Sequence, residues 1–386
     1  MVGLQVEERL PKMKRILLYT IILQSSHQSA HSLSSPSTPQ QPVPVHTLLL
    51  CRHGDSIWNG GQPGTQETFT GWTDVPLSQK GIAEARNTAT ELALLYPHGI
   101  DACFTSILGR ARETAHYCHW AFDEKPQSPR RYISDYRLNE RHYGALQGYV
   151  KAHVEQGLYG HDYEMVQAWR RSWYAVPPLL DDDDPRRIRE VKYNSNFCGG
   201  EENVPRGESL EMVANDRIRP FLDEVLHPLM SEAAGRNRKL AKSLIDARHG
   251  NISGSSNADA DIGGCGLVVA HANSLRALIG VICQVESNPS SLKKLEAMKI
   301  QTGVPLILKY RQLEDGSYEA CDLAEASDDF NTGNRSAPNL PVWPLSCIPK
   351  KPHKRHQFHY SRSIENEKKF AENIRSTASN IRIDVI

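Results

Sequence analysis

Apolar residues along this chain gather in short runs whose spacing separates strands from helices. The run from His46 to Cys51 stops abruptly at Arg52-His53-Gly54. Its length, its lack of polar alternation and the glycine that follows predict a buried strand. Asp101–Ser106 predicts a second strand. Gly266–Ala270 (Gly-Leu-Val-Val-Ala), followed by His271, predicts another buried one. Ser78–Leu95 reads as a helix: Ser78 can cap it, and Ile82, Ala85, Ala89 and Leu92 fall on one stripe. Ser274–Gln284 predicts a further helix with Leu275, Leu278 and Ile282 as its apolar side. Strands alternating with helices predict an α/β fold, a mostly parallel sheet flanked by helices on both faces.

The same patterning divides the chain. A single body is expected over residues 45–320. Residues 1–44 form an extension in which Lys12, Lys14 and Arg15 precede the apolar run Ile16–Leu23. Ala30-His31-Ser32 then supplies a small-x-small pattern, and no acidic residue occurs from Lys12 to Cys51. That is the shape of a signal or transit peptide, with Met13 as an internal start, and it predicts an organelle, cytoplasm being the alternative. Ser32–Pro44, rich in Ser, Pro and Gln, reads as a linker. Ser231–Gly264 mixes basic residues with Gly, Ser, Asn and Asp and is expected to be a surface loop inserted in the body. In residues 321–386 the hydrophobic pattern fades after about Leu323. This tail, with a basic cluster at Lys350–Arg355 and a short charged helix at Ile364–Ile374, is expected to be weakly ordered.

Composition removes several function classes. The chain has 386 residues, enough to bury a substantial core. Lys plus Arg and Asp plus Glu each number 45, so there is no overall basic excess of the kind nucleic-acid binding needs. No apolar run is long enough to span a bilayer. The eight cysteines are scattered, with no CxxC pair and no His/Cys cluster at zinc spacing. They read as unpaired thiols, and no metal is expected.

The candidate chemistry lies at the strand ends. In open α/β sheets, ligands bind beyond the carboxyl ends of the strands. Arg52-His53-Gly54 and His271-Ala272-Asn273 both sit at such ends. A neutral imidazole nitrogen is a competent nucleophile toward phosphorus. Arg52 can neutralise phosphate charge, and Gly54 allows close backbone approach. Either histidine alone would more often be structural; the pair at one sheet edge is more specific.

Leu50-Cys51-Arg52-His53-Gly54-Asp55-Ser56-Ile57-Trp58-Asn59 resembles the opening motif of the histidine phosphatase superfamily. More narrowly, it resembles that of the cofactor-dependent phosphoglycerate mutases. The resemblance continues through Phe69–Ser78 and Thr105–Ala111, and is densest in Leu138-Asn139-Glu140-Arg141-His142-Tyr143-Gly144-Ala145-Leu146-Gln147-Gly148. Further blocks are Lys151, Trp169-Arg170-Arg171, Gly207–Leu210, His271–Arg276 and Thr302–Pro305, in family order.

The resemblance implies a mutase that interconverts 3-phosphoglycerate and 2-phosphoglycerate in glycolysis and gluconeogenesis, primed by 2,3-bisphosphoglycerate and needing no metal. It assigns His53 as the phosphohistidine nucleophile and His271 as its opposite number, stabilising the in-line transition state. Arg52 and Arg110 would bind the transferring phosphate, and Glu140 would be the general acid/base. Lys151, Arg170 and Arg171 would hold the substrate carboxylate and second phosphate. Ser56, Asn59, Thr70, Gly71, Arg141, Tyr143, Ala272 and Asn273 complete the implied substrate contacts. Ser56 stands where bisphosphoglycerate synthases carry glycine, which favours mutase activity. Relatives of this kind are commonly dimers or tetramers, so a homo-oligomer is implied.

The chain also departs from that pattern. Ala272 replaces the family glycine and would weaken phosphate binding if its φ were positive. Asp55 replaces the usual Glu, Thr68 stands where many mutases carry Arg, and the loop from Asn59 to Phe69 is longer than usual. Two other readings stay open: a phosphatase of the same superfamily, and a non-catalytic interaction protein for which Ala272 is the best argument.

Overall fold

In the computed structural model, residues 43–61, 63–96, 99–122, 131–249 and 262–325 are described. The extension up to residue 42, the centre of the expected insertion and the tail from residue 326 lie outside them, so the targeting, linker and tail readings do too.

The strand expected at His46–Cys51 is β1 (Val45–Arg52), and Leu48, Leu49, Leu50 and Cys51 in it have no exposed surface. A strand buried on both faces cannot alternate with polar residues, which is why the run is continuously apolar. It lies inside a six-stranded sheet of order β3-β2-β4-β1-β5-β6. The other strands are β2 (Ala102–Thr105), β3 (Arg131–Ser134), β4 (Ile262–Ala270), β5 (Leu306–Gln312) and β6 (Tyr318–Glu325). β1 pairs in parallel with β4, β4 with β2, and β2 with β3. β5 and β6 add an antiparallel edge.

Alternation of side chains across the sheet makes two cores. Leu49, Cys51, Cys103, Leu267 and Val269 face α1 (Gln79–Leu95) and α2 (Gly109–Trp120). Leu48, Leu50, Phe104, Val268 and Ala270 face the other way. There they meet α6, a continuous helix from Leu210 to His249, and α7 (Ala272–Ile282). Shorter helices α3 (Lys151–Glu155), α4 (Tyr163–Arg171) and α5 (Pro185–Cys198) lie between β3 and α6 in the chain. α8 (Pro289–Ala297) precedes β5. The sheet is mostly parallel with helices on both faces, as the alternation of elements predicts.

Local details refine or correct the sequence reading. Ser78 caps α1, its Oγ accepting from Gly81 N at 3.1 Å. α7 is buried on all sides from Asn273 to Ile282, so it has no exposed polar face. The expected surface loop at Ser231–Gly264 is a correction. Residues 231–249 extend α6, with Ala233 and Ala234 buried, and Gly263 and Gly264 lie in β4. The small residues that read as loop signals are there for close packing: a Cβ on Gly263 would lie 1.9 Å from the Val45 carbonyl oxygen. The body also extends past residue 320, because β6 runs to Glu325. α6 contains two stretches of wider π-type winding, Val213–Ile218 and Leu222–Leu226. The first of these carries Arg217 towards the site described below.

Candidate active site

Parallel pairing sets the site. β1 and β4 run side by side in register, with Arg52 opposite Ala270, so the residues after them emerge together. His53 N donates to Ala270 O at 2.9 Å, extending the ladder by one residue. The His53 and His271 rings stand 4.9 Å apart, centre to centre. The turn after β1 is held against α1 by close packing: a Cβ on Gly54 would fall 2.3 Å from Gly81 O. Asp55 ties the same turn down, accepting from Ser78 Oγ at 2.6 Å, and it is buried away from the cavity. Its shortness relative to Glu therefore concerns the scaffold.

The tautomer of His53 follows from its neighbours. Nδ1 lies 2.7 Å from Gly54 O, and a carbonyl only accepts, so Nδ1 carries the proton and Nε2 keeps its lone pair. Burial, then Arg110 and Arg52, push the His53 imidazole well below its ordinary pKa. Burial, then Arg110 and His53, do the same to His271. Both rings are neutral at physiological pH. Ser106 Oγ accepts from Leu108 N at 3.2 Å and lies 2.8 Å from His271 Nε2, so its hydroxyl proton is available to that nitrogen. His271 Nδ1 and Arg52 Nε are buried nitrogens with no hydrogen-bond partner among the described residues, and the Arg52 N–H is a donor that an oxyanion would satisfy.

Arg110 is fixed from behind. Its two terminal nitrogens donate to Thr73 O and Gly71 O, each at 2.9 Å, and burial lowers its pKa to about 10, still charged at neutral pH. Arg52 donates to Ile300 O at 3.1 Å. Glu140 Oε1 accepts from Arg141 N at 2.8 Å and Asn273 N at 3.2 Å, which orients the carboxylate. Arg217 supports the backbone behind it, donating to Asn139 O at 2.9 Å and Glu208 Oε2 at 2.9 Å. Trp72 Nε1 donates to Glu140 O at 2.7 Å.

These residues line one cavity of about 280 Å³. It gathers Arg52, His53, Arg110 and Glu140 with Ser56, Asn59, Thr70 and Gly71. Tyr143, Lys151, Arg170, Arg171, Ala272 and Asn273 also border it. His271 packs against His53 just behind the lining. Arg141 does not border the cavity, and its Nε and Nη1 are buried without a hydrogen-bond partner among the described residues. It is fully buried beneath Tyr143, its guanidinium 4.9 Å from that ring, and it donates to Trp169 O. Ala272 occupies the first turn of α7, and Gln284 is the sole non-glycine with positive φ among the described residues. Its φ is therefore negative, and the methyl group costs no backbone strain there.

The cavity holds residues that the sequence reading did not place: Glu67, Thr68, Arg276, Lys299, Ile300 and Gln301. Arg276 follows Asn273 by one helical turn and donates to its Oδ1 at 2.7 Å, a spacing that could have flagged it. Lys299 and Gln301 lie between α8 and β5 in a segment with no pattern of its own. Seven cationic side chains line the cavity against two carboxylates, so it suits a strongly anionic ligand.

Comparison with known proteins shows what the chain is similar to. Residues 48–191 match the histidine phosphatase superfamily (branch 1). The chain is 33% identical over 265 residues to 2,3-bisphosphoglycerate-dependent phosphoglycerate mutase 1 of Lactobacillus johnsonii, covering 68% of this chain and 93% of that protein. It is 35% identical over 263 residues to the 2,3-bisphosphoglycerate-dependent phosphoglycerate mutase of Haemophilus influenzae, covering 68% of this chain and 93% of that one. Among solved structures, mycobacterial hydrolase 1 aligns with a TM-score of 0.41 at 20% identity, over 72% of this chain and 97% of that one. The chain belongs to the histidine phosphatase superfamily, within the family of the 2,3-bisphosphoglycerate-dependent phosphoglycerate mutases.

Proposed function

We propose that this chain interconverts 3-phosphoglycerate and 2-phosphoglycerate through a phosphohistidine on His53, serving glycolysis and gluconeogenesis. The observation that carries this reading is the division of charge in the cavity. Arg52 and Arg110 act on the paired neutral imidazoles, taken as one end; Lys151 and Arg170 meet at Glu67 with Arg171 next in the chain, taken as the other, and Glu140 borders the same cavity. A phosphatase needs only the first end. A mutase must also hold the remainder of the glycerate through its other anionic group.

His53 Nε2, unprotonated, attacks phosphorus in line, while Arg52, Arg110 and His271 take the charge on the equatorial oxygens. No proton has to leave His53 first, because its Nδ1–H is already satisfied by Gly54 O. Glu140, held by Arg141 N and Asn273 N, gives a proton to the oxygen that leaves and takes one from the hydroxyl that attacks in return. Lys151, Arg170 and Arg171 hold the distal anion so that the three-carbon unit can present either oxygen. 2,3-Bisphosphoglycerate fits the donor set, with buried Arg52 Nε free at the inner end and the outer cations available for its remaining charge. When bound, it supplies the phosphoryl group that primes His53.

Purified protein incubated with 3-phosphoglycerate should form 2-phosphoglycerate, and 2,3-bisphosphoglycerate should stimulate it. Release of free phosphate without 2-phosphoglycerate would replace this reading with a phosphatase. The His53→Ala variant should lose turnover and acid-labile phosphorylation together.

A further inference from the structure

The outer end of the cavity is already partly neutralised from within the chain. Glu67 Oε1 lies 2.6 Å from Lys151 Nζ, and Oε2 lies 3.9 Å from Arg170 Nη2. Arg170 is also paired with Glu155. Burial alone would raise the Glu67 carboxyl; the Lys151 ammonium, with Arg170 and Arg52, outweighs it and holds the group below the usual range. Glu67 is thus ionised at neutral pH. It comes from the lengthened loop between Asn59 and Phe69, which pairs across Asn59 and Glu67 and stays tied to α3 through Lys151 N donating to Glu67 O at 2.8 Å. A backbone-anchored carboxylate therefore lies on the cations that a ligand's distal anion would need.

We propose that Glu67 is a specificity-determining residue: its carboxylate stands in for the distal anion when the site is free, and a phosphoglycerate must displace it from Lys151 and Arg170 to bind. This rests on the phosphoglycerate reading above. Competition of this kind weakens ligands that carry a second anionic group more than simple phosphomonoesters, because Glu67 pairs directly with Lys151 and Arg170 and acts on Arg52 only through longer-range attraction. The loop trades affinity for exchange of the outer contact, which eases turning of the three-carbon unit and release of product.

Calorimetry on the full chain tests this with two ligands, 3-phosphoglycerate and sn-glycerol 3-phosphate, which keeps the phosphate and lacks the carboxylate. Glu67 is about half exposed, with 48% side-chain exposure, so Glu67→Gln should fold normally, checked by an unchanged unfolding midpoint. For Glu67→Gln, 3-phosphoglycerate should bind about three- to tenfold tighter, the range expected for removing one exposed competing ion pair. Glycerol 3-phosphate should be unchanged within about twofold. An equal gain for both ligands would overturn the proposal in favour of general charge attraction. Weaker binding of 3-phosphoglycerate would overturn it in favour of Glu67 as a support for Lys151. Tighter 3-phosphoglycerate binding without turnover would sink only the mutase reading; failure of both proteins to bind it would sink both.

Discussion

Gly71 is the position where one methyl group should disturb both the scaffold and the site. Its φ is +51, in the left-handed region, and an added Cβ would lie 1.8 Å from Gln147 Oε1. Alanine there costs about 1–2 kcal/mol for the backbone conformation alone. Gln147 must then move, and it is not free to do so cheaply. Its Oε1 accepts from Trp72 N at 2.8 Å, and its Nε2 donates to Glu190 Oε1 at 2.6 Å. Leaving the buried Trp72 N–H without an acceptor adds about 1–3 kcal/mol. Gly71→Ala should therefore lose about 2–5 kcal/mol of stability in urea unfolding. The chemistry should suffer separately, because Gly71 O is one of the two carbonyls that aim Arg110. Affinity for inorganic phosphate should fall with Arg110 displaced. Gly71→Ala combined with Gln147→Ala removes the collision and keeps the strained backbone, so the pair should be less destabilised than the sum of the two changes. A loss below about 1 kcal/mol for Gly71→Ala, or phosphate affinity equal to wild type, would refute the reasoning.

Arg217→Met leaves the buried Glu208 carboxylate without its guanidinium and should cost about 3–5 kcal/mol, with recovery when Glu208→Gln is added; urea midpoints of the three variants decide it. Burial first, then His227 and Arg238, lowers the His46 pKa to about 3, whereas the unfolded group titrates near 6.5. Between those values only the unfolded chain takes the proton, so stability present at neutral pH is lost as pH falls from about 6.5 towards 3, at up to about 1.4 kcal/mol per unit from this group. Because Nδ1 of His46 accepts from Gly264 N at 3.0 Å, His46→Asn can keep an acceptor there without titrating, and its stability should fall less between pH 7 and pH 5. Equal acid loss in both proteins would remove His46 as the cause. Arg110→Met should weaken phosphate binding and phosphorylation of His53 by about two orders of magnitude, the scale expected for one charged transition-state donor, and intact phosphorylation would remove Arg110 from the transferring-phosphate site.

The chemistry was most legible where it depended on local sequence. The apolar run ending at Arg52-His53-Gly54 and the later strand ending at His271 are each readable within a few residues, and both lie where the pattern put them. Legibility fell where packing outweighed composition. Residues 231–249 carry basic and small side chains that read as a loop, yet Ala233 and Ala234 pack into the core on a helix. Gly263 and Gly264 look like loop glycines and are strand residues without room for a Cβ. Arg141 sits inside the densest matching block, and burial beneath Tyr143 removes it from the cavity.

What the sequence by itself determined was the set of strands and helices that deliver His53 and His271, because hydrophobic period, capping and strand-end punctuation act over short distances. The shared family blocks added the cations expected around them. Only the tertiary structure decided which charges meet. Parallel pairing of β1 with β4 sets the two imidazoles 4.9 Å apart, and burial beside Arg52 and Arg110 keeps them neutral. Folding of three separate segments sets Glu67 against Lys151 and Arg170. Those electrostatic relations depend on through-space distance and exclusion of water, neither of which is written in the order of residues along the chain.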